Sequence, residues 1–192
     1  ALEATIRIMP LGDSITRGFT GSSDKTGYRR ELDLTLTGDG YIFDFVGSLA
    51  EPIGPPNDFD KDHEGHSGFT DGDLAAQVYD YLTANPADIV LLHIGTNNAD
   101  VDQSAVQVET ILDEIDRYET DNATSIWVIL ARIINRGCTN PPCSFSDSTT
   151  TFNNNVEAMA QDRIILDGDK ILIVDMENGA DIDYHLSTDT PP

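Results

Sequence analysis

Three short segments of the chain carry residue types that suit acyl transfer. Ser14 ends a Gly-Asp-Ser tripeptide directly after the apolar run at residues 5–11, so its hydroxyl is placed like a nucleophile on the turn after a buried strand. Gly68 ends a Gly-His-Ser-Gly string, and Asn97 stands in a Gly-Thr-Asn-Asn string. A glycine N–H and an asparagine amide are neutral donors that can stabilise the oxyanion of ester cleavage. Gly-Asp-Ser alone is also ordinary turn chemistry, and only the three segments together favour catalysis.

Apolar periodicity alternates between strand and helix along the whole chain. The pattern predicts strands at residues 5–9, 42–46, 88–94, 126–134 and 171–176. It predicts helices at residues 28–36, from 70 or 71 to 82, at 104–118 and at 149–166, with a long polar loop at 47–69. Such alternation is typical of the α/β class, a parallel sheet with helices on both faces, here in one domain, residues 1–192. The three segments then lie at the carboxyl ends of strands or in the loops that follow, where such sheets bind ligands.

Acidic residues dominate the composition. The 192 residues include 34 Asp+Glu and 11 Lys+Arg, a formal net charge of -23 at pH 7. A surface of this sign repels nucleic acid and anionic membranes, so neither is expected as a partner. No apolar run approaches the roughly 20 residues that a membrane-spanning helix needs. We interpret the charge as a means of solubility in an acidic extracellular medium, with an acidic partner-binding face as the alternative.

Several features favour an extracellular protein. The two cysteines, Cys138 and Cys143, enclose Thr-Asn-Pro-Pro, a spacing that favours a small loop disulfide over free thiols, a zinc site or a Cys-x-x-Cys redox site. Asn122 opens an Asn-Ala-Thr glycosylation sequon. The chain begins at Ala1 without a basic and apolar leader, which we interpret as a processed product. The sequence therefore predicts a secreted protein, which we expect to be a monomer.

Three strings, in order along the chain, resemble the SGNH (GDSL-type) hydrolase superfamily. They read Arg-Ile-Met-Pro-Leu-Gly-Asp-Ser-Ile-Thr at 7–16, Asp-His-Glu-Gly-His-Ser-Gly at 62–68 and Leu-His-Ile-Gly-Thr-Asn at 92–97. They are most similar to the secreted carbohydrate esterase family 3, the acetyl xylan esterases. The resemblance implies a three-layer α/β/α sandwich around a five-stranded parallel sheet of flavodoxin-like order, in agreement with the five strands counted above.

The resemblance also implies the roles of individual residues. Ser14 resembles the nucleophile, with its own N–H contributing to the oxyanion hole, while Gly68 and Asn97 resemble the two further donors. The family's third block usually reads Gly-Thr-Asn-Asp, so Asn98 is a departure. Because this fourth position is not an oxyanion donor, the departure concerns local support rather than the reaction.

The family's last block, Asp-x-x-His, does not fit this chain. The only late histidine is His185, which has Ile182 three residues before it and aspartates two and four residues before it, Asp183 and Asp181. We therefore predict that the chain stops before the catalytic Asp and His and before the last helix. The alternative is that His185 is the base, with Asp181 or Asp183 as its partner. Without an adjacent base, a serine hydroxyl is a weak nucleophile.

The remaining histidines and the acidic loop have simpler interpretations. His93 is expected to be a satisfied core or supporting residue, and His63 and His66 to order the loop that carries Gly68. The acidic string at 58–64 alternates oxygen ligands in a pattern that suits calcium, but a solvated loop is the favoured interpretation. Ester hydrolysis by these residues needs no cofactor, and any such calcium ion would be structural.

The sequence as a whole predicts a secreted serine esterase that deacetylates plant polysaccharide. Its expected partner is an acetylated polysaccharide or oligosaccharide substrate. A non-catalytic or truncated carbohydrate-binding module of the same fold is the first alternative. A lipid or aryl ester hydrolase is the second, which the polar, proline-rich loop at 52–62 disfavours. A flavin or nucleotide binder is disfavoured because the loop after the first strand lacks Gly-x-Gly-x-x-Gly and a P-loop lysine.

Overall fold

Strands and helices alternate through the part of the chain that this computed structural model describes, residues 4–19, 22–135 and 144–179. The strands are β1 (Ile6–Gly12), β2 (Phe43–Phe45), β3 (Leu49–Ala50), β4 (Asp62–Gly65), β5 (Ile89–His93), β6 (Trp127–Arg132) and β7 (Ile171–Asp175). The helices are α1 (Ser14–Arg17), α2 (Arg29–Gly38), α3 (Asp71–Ala75), α4 (Val78–Ala84), α5 (Val106–Asn122) and α6 (Ser144–Leu166). Within those ranges, no helix combines the length and the apolar content that crossing a bilayer requires.

One sheet joins the strands in the order β3-β4-β1-β5-β6-β7, and β2 also pairs with β1. All neighbours are parallel except β3 and β4. Because β5 occupies one edge of β1, the other edge is shared by β2 over the first half of the strand and by β4 over the second half. The strands predicted from the sequence follow one another as β2-β1-β5-β6-β7, which is the flavodoxin-like order.

The predicted loop at 47–69 is wrong in part, because β3 and β4 lie within it. The β4 sequence is Asp-His-Glu-Gly, and both His63 and Glu64 are fully buried. Backbone N–H groups donate to them: Ser48 to Glu64 Oε1 at 2.5 Å, and Gly65 to His63 Nδ1 at 2.9 Å. A strand held by polar contacts has no apolar alternation from which it could be predicted.

The helix predicted from residue 70 or 71 to 82 is two helices, α3 and α4, separated by two residues. Thr70 caps α3: its side chain accepts from the Asp73 N–H, and Asp73 Oδ2 accepts from the Thr70 N–H at 2.9 Å. No glycine or proline marks the break between the helices. Both helices pack against α5, and this tertiary packing overrides the local helical preference.

The apolar core lies on one face of the sheet, against α3 to α6. Met9, Val90 and Val128 occupy paired positions on neighbouring strands and are almost fully buried. Ile111 of α5 and Phe152 of α6 belong to the same cluster. Since successive strand residues point to opposite faces, one continuous apolar surface results from these aligned positions.

The opposite face of the sheet carries an apolar groove of about 300 Å³. It is lined by Tyr28, Leu32, Leu91, Leu92, His93, Ile129, Ala131, Val174 and Met176. Leu32 belongs to α2, while Leu91 and Ile129 are paired sheet residues that alternate with core residues. On β7, Leu172 is 54% exposed. Among the described residues this part of the sheet is thus less completely covered than the core face.

A buried network of polar side chains fixes the end of β7 beside β6. Arg132 and Asn135 each donate to the Glu177 carboxylate at 2.7 Å, and Asn153 donates to it at 3.0 Å. Burial raises the pKa of Glu177, but hydrogen bonds from Thr150, Asn153, Arg132 and Asn135 outweigh burial and hold this pKa below its ordinary value. The ionised form of Glu177 therefore stabilises the folded state.

Replacement of Glu177 by glutamine is expected to lower the free energy of unfolding at neutral pH by about 3 kcal/mol, because Arg132 loses a buried charged partner. The difference from the wild type should shrink as pH falls through the lowered pKa, where the wild-type carboxylate takes up a proton. Urea denaturation at a series of pH values measures both effects. Glu109→Gln, at an exposed position of α5, is the control. Equal stabilities of Glu177→Gln and wild type would contradict the assignment.

Candidate active site

Three strand ends lie side by side where the predicted site segments begin. Gly12 at the end of β1 pairs with Gly65 of β4 on one side and with His93 of β5 on the other. The Gly12 carbonyl accepts from the His66 N–H at 2.8 Å, which continues the pairing into the second loop. A Cβ on Gly12 would stand 2.1 Å from the carbonyl oxygen of His93, so only glycine fits there. The three loops with the predicted site residues therefore leave the sheet at one edge.

Ser14 is half-buried and is the first residue of the short helix α1. Asp13 caps this helix, because its Oδ1 accepts from the Ile15 N–H at 2.9 Å. Gly18 ends it in the left-handed conformation, with φ of 77°, and donates to the Ser14 carbonyl at 3.0 Å. In the described part of the chain no group hydrogen-bonds to the Ser14 hydroxyl, which leaves this oxygen available to a substrate.

Gly68 is exposed in the loop that follows β4, and its φ is 85°. This left-handed conformation favours glycine. A Cβ would not be crowded, because no atom lies within 4 Å of the position that it would take. The conformation of the backbone, and not crowding, thus accounts for glycine at this position. Within the described ranges no group accepts from the Gly68 N–H, so this donor can serve an oxyanion.

Asn97 lies exposed in the loop that follows β5. Its Nδ2 donates to the carbonyl of Phe69, the residue after Gly68, at 2.7 Å. This hydrogen bond joins the third loop to the second loop and fixes the carboxamide beside Gly68. Since Nδ2 carries two hydrogens, one remains for a substrate oxygen.

Asn98, the departure from the family pattern, has a specific partner in Asp71. Asn98 Nδ2 donates to Asp71 Oδ1 at 2.8 Å and so ties the third loop to the start of α3. Burial raises the pKa of Asp71, and the hydrogen bonds from Gly72 and Asn98 act in the opposite direction. An aspartate at position 98 would set a second carboxylate against Asp71, and the two would repel each other. Asparagine instead supports the loop with a neutral donor.

Two buried polar side chains accompany the Ser14 turn. Asp13 and His93 are 0% and 2% exposed. Burial is the largest influence on Asp13 and raises its pKa above the ordinary value, although hydrogen bonds from Ile15 and Thr96 act in the opposite direction. Burial lowers the pKa of His93, which is therefore neutral at pH 7. The prediction of a satisfied core histidine is wrong in one respect, since among the described residues neither ring nitrogen of His93 has a hydrogen-bond partner.

The histidines of the second segment order the loop that leads to Gly68, as the sequence predicts. The His66 ring stacks between Phe69 and Tyr81, with ring centroids 4.7 and 5.0 Å away, and its Nε2 lies 2.8 Å from Glu64 Oε2. Burial lowers the pKa of His63 to about 3, so this side chain is neutral and accepts from a backbone N–H. Stacking and hydrogen bonding together leave the His66 ring a single orientation.

Arg29 is a supporting residue that the sequence does not reveal. It is fully buried and donates to four backbone carbonyls, those of Thr16, Arg17, Glu51 and Lys61, each at 2.9 Å. Burial lowers its pKa to about 10, so the guanidinium is still charged at neutral pH. These contacts join the end of α1 to the segments after β3 and before β4. Because its acceptors are backbone carbonyls, no acidic residue in the sequence indicates where this arginine lies.

The acidic string at 58–64 makes contacts within the protein. Asp58 pairs with Arg30 at 2.5 Å, and Asp60 Oδ2 accepts from the Phe45 N–H at 2.8 Å. Across residues 4–19, 22–135 and 144–179, no three His, Cys, Asp or Glu side chains are grouped so that they could hold a metal ion. A calcium site at 58–64 gains no support from these contacts.

Some predicted residues lie outside the described ranges. They are His185 with Asp181 and Asp183, the candidates for a base and its partner, and the cysteines Cys138 and Cys143. Their roles stay predictions.

The sequence matches a known protein family over most of its length. A family model described as GDSL-like lipase/acylhydrolase matches residues 8–175. The chain belongs to this family. A multidomain esterase from Ruminococcus flavefaciens is 32% identical over 156 residues, which are 69% of this chain and 20% of that protein. The chain thus spans about a fifth of the length of this curated relative.

Solved structures of esterases have the same fold. A family 3 carbohydrate esterase from Clostridium thermocellum superimposes with a TM-score of 0.70 at 29% identity, over 96% of this chain and 81% of that chain. A family 3 carbohydrate esterase from Talaromyces cellulolyticus gives a TM-score of 0.76 at 22% identity, over 98% and 88% of the two chains. These matches confirm the predicted superfamily and the predicted α/β fold with its mostly parallel sheet.

Gly12→Ala tests the contact on which the position of the Ser14 turn depends. We expect the variant to lose about 3 kcal/mol or more of stability, because the new Cβ collides with the His93 carbonyl and with Thr16 Oγ1 at 2.5 Å. Thermal and urea denaturation measure the loss. Gly38→Ala in α2 is the matched control, since nothing lies within 4 Å of a Cβ there and a helix favours alanine. Similar stabilities of the two variants would contradict the role of Gly12.

Proposed function

We propose that this chain is a secreted serine esterase that removes acetyl groups from plant polysaccharide. One observation carries the proposal: the hydroxyl of Ser14, the N–H of Gly68 and the carboxamide of Asn97 belong to loops that leave one sheet edge, and Asn97 is hydrogen-bonded to the residue after Gly68. The family 3 carbohydrate esterases among the structural matches support the choice of an acetylated carbohydrate.

The reaction proceeds through an acyl-enzyme. Ser14 Oγ attacks the acetyl carbonyl carbon and loses its proton to a base, and the carbonyl oxygen becomes an oxyanion. The N–H groups of Ser14 and Gly68 and the Asn97 carboxamide donate to this oxyanion. Collapse breaks the bond to the sugar oxygen, which leaves as an alcohol after it takes up the proton. Water then attacks the acetyl-serine and releases acetate.

Most histidines of this chain are unsuited to act as the base. The chain has four histidines, of which His63 and His93 are buried and neutral, and His66 is held by Glu64 and two aromatic rings. His185, with Asp181 or Asp183, is then the candidate within the chain. The prediction that the catalytic Asp and His follow Pro192 instead stays open beside it.

The surroundings of Ser14 favour a short acyl group. The loop at 52–62 is polar and rich in proline. A lipid esterase needs a longer apolar channel for its acyl chain. The exposed sequon residue Asn122 is compatible with the proposed secretion. We expect the monomer to be the active form.

Ser14→Ala is expected to lower the rate of 4-nitrophenyl acetate hydrolysis at least about a thousand-fold, because no other hydroxyl replaces the nucleophile. Ser67→Ala, an exposed serine in the second loop, is the control and should stay within about two-fold of wild type. Acetate release from acetylated xylan tests the substrate class, and 4-nitrophenyl decanoate tests the lipid alternative. Equal rates for wild type and Ser14→Ala would favour a non-catalytic carbohydrate-binding module.

Asn97→Ala is expected to lower kcat on acetylated xylan about 100- to 1,000-fold, with a smaller change in KM, because a donor to the oxyanion is removed. The matched control is Asn155→Ala: Asn155 is also exposed and also donates from Nδ2 to a backbone carbonyl, that of Gln103, at 2.8 Å. Steady-state kinetics of both variants measure the effect. A loss confined to KM would mean that Asn97 only binds substrate.

A further inference from the structure

A separate pocket of about 240 Å³ lies at the end of helix α1, the helix that begins with Ser14, and the acetyl-transfer chemistry does not use it. It is lined by Arg17, Phe19, Lys25, Glu51, Pro52 and Ile53. Phe19 is close to the nucleophile in the chain, and its N–H donates to the Ser14 carbonyl at 3.2 Å. Arg17 ends α1, and its Nη1 lies 3.4 Å from Ser67 Oγ in the loop that carries Gly68. The pocket is thus joined both to the turn that carries the nucleophile and to the loop that carries Gly68.

The apolar walls of the pocket are exposed to solvent. Phe19 is 52% exposed and Ile53 is 94% exposed. Large apolar side chains that face solvent beside a reactive hydroxyl indicate a binding surface rather than a core. A pyranose ring has an apolar C–H face that packs on such side chains, with its polar groups left at the rim of the ring. Arg17 Cζ also lies 5.4 Å from the centroid of the Phe19 ring, so the part of Phe19 that stays exposed and the Ile53 side chain are the surfaces that suit a sugar.

The charges of the pocket differ from those of the protein as a whole. Arg17 donates to Glu51 at 2.7 Å, so these two side chains neutralise each other. Lys25 Nζ lies 5.3 Å from the centroid of the Phe19 ring and, in the described part of the chain, forms no ion pair with a carboxylate. The neighbouring Asp24 carboxylate instead accepts from Thr26. The pocket thus presents one unneutralised cation in a protein of net charge -23.

We propose that this pocket binds a hexuronic acid residue of the substrate, with the carboxylate at Lys25 and the pyranose face on Phe19 and Ile53. The proposal rests on the proposed function, because it assigns a subsite for one part of the same substrate. The net charge of -23 repels a polymer that carries a carboxylate on every sugar. The pocket therefore suits a single uronic acid on an otherwise neutral chain.

Binding of an oligosaccharide that cannot be hydrolysed tests the pocket independently of catalysis. The probe is an unacetylated xylo-oligosaccharide with one glucuronic acid branch, titrated calorimetrically against its unbranched counterpart. Wild type should bind the branched form more tightly at low ionic strength. Lys25→Gln should weaken that binding about two- to five-fold, as expected for a solvent-exposed ion pair. Phe19→Ala should weaken it about five-fold, through the lost ring contact.

Lys170→Gln is the matched control, because it removes one exposed lysine before β7 and changes the net charge equally. Its affinity for both probes should equal that of wild type. If wild type binds the two probes equally, or if Lys25→Gln and Lys170→Gln behave alike, the uronic acid proposal is wrong. This outcome leaves the esterase proposal intact, since Ser14 plays no part in the measurement.

The rate of acetate release supplies the second arm. Acetylated glucuronoxylan, before and after enzymatic removal of its glucuronic acid, is offered to wild type, Lys25→Gln and Lys170→Gln. Wild type and Lys170→Gln should have the higher kcat/KM on the branched polymer, and Lys25→Gln should lose this preference. Acetate release without any preference would overturn the pocket assignment alone. Failure of every protein to release acetate, together with selective binding, would overturn the esterase proposal alone.

Discussion

The close approach of three backbones at Gly12 is the constraint on which the site depends. Gly65, Gly12 and His93 lie side by side in β4, β1 and β5, and a side chain on Gly12 would meet the His93 carbonyl at 2.1 Å. Hydrogen bonding in a parallel sheet fixes the spacing of these strand ends to about 5 Å. Loops that start so close together need only a few residues to bring a hydroxyl, an amide N–H and a carboxamide to one place. The pairing of the strands, more than the conformation of the loops, thus determines where the reactive groups lie.

Buried polar side chains then fix each loop to its support. Arg29 binds four carbonyls around α1, Glu64 holds Ser48 and His66 before the second loop, and Asn98 donates to Asp71 after the third. Removal of the partner of any of these groups would destabilise the protein, because a buried donor or acceptor would be left without a hydrogen bond. Side chains held in this way cost little reorganisation when charge develops on a substrate, and this preorganisation is what oxyanion stabilisation requires.

The sequence predicts the parts of this arrangement that leave a local pattern. Apolar periodicity places β1, β5, β6, β7 and the amphipathic α5, and the short strings around Ser14, Gly68 and Asn97 identify the loops. The sequence does not predict β4, because its buried residues are His63 and Glu64, whose partners are polar and distant in the chain. The sequence does not predict the break between α3 and α4, because packing on α5 causes it. The sequence does not predict the role of Arg29, because its four acceptors are backbone carbonyls, which every residue type possesses.

The edge of β1 that serves first β2 and then β4 has an evolutionary consequence. The chain leaves the sheet after Phe45, pairs briefly through β3 and returns at Asp62, so the stretch between these points forms an excursion outside the main hydrogen-bonded register. Lengthening or rewriting its outer part, around Ile53, leaves the alignment of Gly12, Gly65 and their neighbours unchanged. Descendants of one ancestral hydrolase can therefore change the residues that bind substrate in this stretch while they keep the strand ends that position the catalytic residues.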